Sequence, residues 1–135
     1  MELSTFGAIF KLAIELEKEA LAYYERAAQS GAPAPLQETL TALARAHKKR
    51  QQAAEQMRRE QVTEMILEPI YGLHEEDFAV DLSAPGWQKA PELESKIHAF
   101  YAAAAGKVSI PEVARRFRKL ADESTRLEEL AAALK

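Results

Sequence analysis

The stretch "LAIELEKEALAYYERAA", Leu12 to Ala28, decides the fold. At ~100° per residue, Phe6, Phe10, Ala13, Leu16, Ala20, Tyr24 and Ala27 fall on one helical stripe. Glu15 and Glu19 point away from that stripe, whereas Glu17 lies near its centre. An ionised carboxylate on an apolar face has to be paired, protonated or bound to a metal. What satisfies Glu17 therefore bears directly on what the protein does.

Working outward, three further segments carry helical period. The first helix runs from about Ser4, a suitable N-cap, to Ser30, with Gly31 as its stop. "GAPAP" is a short turn, and Pro35 suits the first turn of a second helix that continues to about Glu60. Its inner stripe is Leu36, Leu40, Leu43, Ala44, His47, Ala54 and Met57. The third helix covers roughly residues 90–105 and ends at Gly106, with Leu93, Ile97, Phe100, Tyr101 and Ala104 inward. The fourth opens on "SIPE", read as a capping box of Ser109 and Glu112 around Pro111. It runs to the C-terminus on Val113, Phe117, Leu120, Leu127, Ala131 and Leu134.

Short joints between the first and second helices, and between the third and fourth, imply two antiparallel helix hairpins. The nearly thirty residues from Val62 to Lys89 form a connection too long for neighbouring antiparallel helices. Such a crossover lets the second and third helices run parallel. The expected fold is thus all-α, a single domain over residues 1–135: two antiparallel helix hairpins joined by a long crossover. Ile66, Ile70, Tyr71, Leu73, Phe78 and Trp87 make that crossover too apolar for a free linker. Packing on the bundle or at a homodimer seam around Ile66 to Leu73 is the expectation.

Composition narrows the function classes. An apolar content of 47% and a charged content of 29% are those of a soluble globular domain. A formal charge of −3 offers no overall attraction to nucleic acid or to an anionic membrane. With no cysteine, thiol catalysis and thiolate metal sites are excluded. The N-terminus lacks the pattern of a signal peptide, and no run approaches the ~18 apolar residues of a membrane span. A cytoplasmic location is the default. The basic run "RAHKKR" places Arg45 and Lys49 on an outer face, which reads as solvated surface rather than as a nucleic-acid site.

The two hairpins resemble each other. "ELEKEALAYYERAA" matches "ELESKIHAFYAAAA", aligning Glu17 with Glu94 and Tyr24 with Tyr101. "LTALARAHKKR" matches "FRKLADESTRL" through Leu40/Phe117, Leu43/Leu120 and Ala44/Ala121. With these motifs the chain resembles the ferritin-like superfamily, in particular rubrerythrin-like domains. The resemblance implies a ferritin-like four-helix bundle and a di-iron oxidoreductase centre. In that family the pattern Glu-x-x-Ala-x-x-x-Tyr supplies a metal-binding glutamate; Glu17, Ala20 and Tyr24 fit it, as do Glu94 and Tyr101, with Ile97 at the small position.

The family's other pattern, like Phe-x-x-Leu-Ala-x-x-Glu-x-x-His, gives a metal-bridging glutamate and a terminal histidine. Laid on the Leu-Ala pairs here, the bridging position falls at His47 and the histidine at Arg50; in the fourth helix they fall at Ser124 and Leu127. Sliding the register makes His47 the histidine and Ala44 the bridge, with Glu123 and Arg126 in the fourth helix. Neither register supplies six ligands. Two divalent ions a few ångströms apart need bridging carboxylates to offset their repulsion, so the resemblance implies an altered, degenerate di-iron site.

Three readings of the interior glutamates remain open. Glu17 and Glu94 could form a polar core with His47 and Arg50, completed by Tyr24 and Tyr101, with Ser124 alongside. They could instead hold one Fe, Mn or Zn ion with His47, with Glu123 and His98 as secondary ligands. They could also lie at the surface of a helical dimerisation or interaction module. An iron-dependent oxidoreductase of the rubrerythrin type is the alternative activity; no substrate is legible.

Overall fold

In the computed structural model, which describes residues 2–61 and 70–134, the chain is a helical bundle of four helices. They are α1 (Phe6–Ala28), α2 (Ala34–Gln61), α3 (Ala90–Lys107) and α4 (Pro111–Ala132), with a single 3-10 turn at Glu75–Phe78. Among the described residues there is no strand, only an isolated bridge between Glu2 and His74. No described helix is long and apolar enough to cross a membrane.

The helix ends follow local chemistry, with two departures from the sequence expectation. Thr5, not Ser4, caps α1: its backbone is extended and its hydroxyl accepts the Ala8 N–H at 3.1 Å. Ser4 is taken up elsewhere, its carbonyl accepting the Ile70 N–H at 3.0 Å while the Leu3 N–H donates to Leu73 at 2.7 Å. These bonds pin Ile70 and Leu73 of the crossover to the residues just before α1. The expected Ser109/Glu112 box does not form, because α4 starts at Pro111 and Ile110 occupies the cap without a side-chain bond. That cap leaves Glu112 one position short of the place from which a box glutamate reaches back. It lies 3.5 Å from Arg116 instead. After α1, Gly31 adopts φ +86°, a left-handed conformation that costs glycine little and turns the chain into α2.

α1 packs most extensively on α2, and α3 on α4, with lesser α2–α4 and α1–α3 contacts closing the bundle. This pairing is that of two hairpins. Aromatic rings link them: Phe10 on α1 lies 5.6 Å from Phe117 on α4, which lies 5.9 Å from Tyr101 on α3, and Phe100 continues the line to Phe78 at 5.3 Å. Ile70, Leu73 and Phe78 are buried against this core, Trp87 is half-buried, and Tyr71 is 68% exposed. Ile66 and Met65 lie outside the described residues. Of the seam expected around Ile66 to Leu73, the described residues show Ile70 and Leu73 buried within the chain and Tyr71 exposed.

Candidate functional site: a charged cluster inside the bundle

Glu17 is fully buried, as are Glu94, His47 and Ser124, while Arg50 is 5% exposed. Helical period puts them there: Glu17 follows Phe10 and Ala13 down one face of α1, and His47 and Arg50 follow Leu40 and Leu43 down one face of α2. Burying four ionisable groups is tolerable only if each finds partners.

His47 sits between the two glutamates. Its Nδ1 lies 2.5 Å from Glu17 Oε1 and its Nε2 2.7 Å from Glu94 Oε2. Both ring nitrogens donate at once only in the imidazolium form. Burial opposes that charge, but the Glu94 and Glu17 carboxylates outweigh it and raise the His47 pKa to about 9. Against its own burial, Glu17 is held below the usual carboxylate range by the His47 hydrogen bond and charge, then by Arg50 and the Tyr101 hydroxyl.

The repeat seen in the sequence becomes geometry here. Tyr24 donates to Glu94 Oε2 at 2.5 Å, and Tyr101 donates to Glu17 Oε2 at 2.5 Å, so each hairpin's tyrosine serves the other hairpin's glutamate. The His47 ring stacks on Tyr24 at 5.6 Å, and the Arg50 guanidinium lies 5.0 Å above the Tyr101 ring. Burial and the adjacent carboxylates push both phenols well above their ordinary range, so they remain proton donors.

The symmetry breaks at the second charge. Arg50 donates from Nε to Glu17 Oε2 at 3.2 Å, and its terminal nitrogens reach the Leu120 carbonyl at 3.1 Å and Ser124 Oγ at 2.8 Å. The Ser124 hydroxyl in turn donates to the Leu120 carbonyl at 2.9 Å. In the other hairpin the position equivalent to Arg50 is Leu127, which has no donor. Glu17 therefore has three partners, whereas Glu94 has two, both on Oε2. Glu94 Oε1 is the one buried side-chain polar atom without a hydrogen-bond partner among the described residues.

Seven of the sequence-predicted residues thus meet in one cluster: Glu17, Tyr24, His47, Arg50, Glu94, Tyr101 and Ser124. The two secondary metal candidates do not. Glu123 is exposed, and His98 is engaged by Glu128 at 2.5 Å on the α3–α4 flank. The Leu120 carbonyl is a functional partner that sequence reasoning missed, because a backbone acceptor leaves no residue signature. Ser124 and Leu127 face inward, whereas Arg126 is exposed.

The donor set does not fit a di-metal centre. The cluster's two carboxylates come from α1 and α3, while α2 and α4 contribute an imidazole, a guanidinium and a hydroxyl, so no further carboxylate is there to bridge a second ion. Nor is His47 free for one ion as it stands, since each ring nitrogen is engaged by a carboxylate oxygen at hydrogen-bond distance. Among the described residues, no three His, Asp or Glu side chains are arranged to hold a cation. Comparisons with family models, with curated proteins and with solved structures find no match to this chain.

Proposed function

We propose that this protein is a rubrerythrin- or ferritin-like bundle with an altered metal centre, in which an internal ion-pair core stands where the family holds two irons. The observation that supports this best is His47 spanning both glutamates through its two ring nitrogens. Two carboxylates, Glu17 and Glu94, then face two organic cations, His47 and Arg50, so the cluster is neutral without an ion. A guanidinium supplies permanent positive charge with fixed directionality, which suits it to that substitution. On this reading the protein works through its surfaces, as a binding or interaction module, rather than through redox chemistry at the core.

A second reading has one support. Glu94 Oε1 leaves an open acceptor in the buried cluster, and a single Fe, Mn or Zn ion on Glu94, Glu17 and a reoriented His47 would satisfy it.

Metal analysis separates the two. Protein produced with added iron and manganese and purified without chelators is expected to carry no stoichiometric metal. One ion per chain that is lost on His47→Ala would favour the second reading, and two ions retained through Glu17 would overturn both. The complementary variant carries His47→Glu, Arg50→His, Ser124→Glu and Leu127→His, which writes the family pattern back into the repeat. Gain of two irons per chain by that variant supports the proposed ancestry.

A further inference from the structure

The groove between α2 and α4 is not used by the core reading. It encloses about 390 Å³, within the range of small-molecule sites. Its floor is apolar, made by Ala53, Met57 and Leu120. Positive charge gathers around that floor: Lys49 on α2, and Arg116 and Lys119 on α4. Arg116 is engaged by Glu60 at 2.8 Å and by Glu112 at 3.5 Å. Lys49 and Lys119 have no ion-pair partner among the described residues, and the acidic lining is completed by Glu123.

The inner wall is Arg50. Its guanidinium uses three of five N–H donors on Glu17, Leu120 and Ser124, and the residue lines this groove. An apolar slot rimmed by two unpaired ammonium groups and backed by a guanidinium suits one chemistry: a negative head on an aliphatic body. Lysine stems extend the apolar surface while their heads stay wet.

We infer that the α2–α4 groove binds a free amphipathic carboxylate, a single unbranched acyl chain seated on Met57 and Leu120 with its head at Lys49 and Lys119. A groove of about 390 Å³ bounded by two helices has room for one chain and offers no extended face to a bilayer. This site goes beyond the ion-pair core and does not depend on whether that core holds a metal.

Isothermal titration of the full chain with monomeric dodecanoate tests it. One saturable site is expected, weakened at least about tenfold by Lys49→Glu with Lys119→Glu, and likewise by Ala53→Trp, which fills the floor. All three positions are exposed on the helices, so thermal melts should match the parent. Dodecyltrimethylammonium, with the same tail and the opposite charge, and acetate, with the head alone, should each bind at least about tenfold more weakly. The inference is overturned if dodecanoate shows no saturable binding, if both variants bind it as the parent does, or if the cationic chain binds equally well. Binding to phosphatidylglycerol vesicles without binding of the monomer overturns it as well. Metal content, measured in parallel, reports on the core alone, so failure at either site is read separately.

Discussion

Replacing His47 should remove a specific pH dependence from folding stability. His47 carries a pKa of about 9 in the folded protein against 6.5 in the open chain. At about 1.36 kcal/mol per pKa unit, its protonated form contributes about 3 kcal/mol. Because the folded value is raised, that contribution is complete below about pH 6.5 and is lost as pH rises through about 9. Glu17 works in the opposite sense. Its lowered value gives stability that is present above the open-chain value of 4.5 and lost as pH falls. The parent should therefore be most stable between about pH 4.5 and about pH 6.5 and decline on both sides. Urea unfolding followed by far-ultraviolet circular dichroism, from below about pH 4.5 to above about pH 9, reads both limbs. In His47→Gln the alkaline limb should flatten. His47→Ala should cost about 3–5 kcal/mol near pH 6.5, since it leaves the buried Glu94 carboxylate with only the Tyr24 hydroxyl and no cation. An unchanged parent stability from about pH 6.5 to beyond pH 9 would refute the imidazolium bridge.

Other perturbations follow from the same contacts. Arg50→Met should cost about 3–5 kcal/mol by leaving two buried carboxylates with His47 as their one cation, and Arg50→Lys should not rescue it, because one ammonium cannot reach Glu17, Leu120 and Ser124 together; chemical denaturation measures both. Glu94→Gln should lower the His47 pKa, since the Glu94 charge is the largest influence raising it, and an imidazole NMR titration reads the shift. Tyr24→Phe should destabilise by about 1–3 kcal/mol and more than Tyr101→Phe, because Glu94 keeps only His47 while Glu17 keeps His47 and Arg50. Gly31→Ala should lower stability by about 1 kcal/mol through its positive φ, although open space surrounds the added methyl; thermal melts decide that.

The sequence by itself determined the helices and what they turn inward. The 3.6-residue period of α1 carries Glu17 to the centre of an apolar face, and that period is a local property of the chain. The internal repeat likewise made Glu94 and Tyr101 legible as counterparts of Glu17 and Tyr24. Caps were legible only approximately: Thr5 displaces Ser4, and Ile110 pre-empts the Ser109 box, because tertiary bonds from Ile70 and the turn into α4 shift each start by a residue. Only the tertiary structure decided who pairs with whom. Spacing along a helix fixes which face a side chain occupies, but not which of several inward groups across the bundle lies within 3 Å. That choice sent Tyr24 to Glu94 rather than to Glu17, placed His47 between both carboxylates, and turned Arg50 toward a backbone carbonyl on α4. Hydrogen bonds are directional and short-ranged, so these assignments are set by how four helices meet, which no single helix encodes.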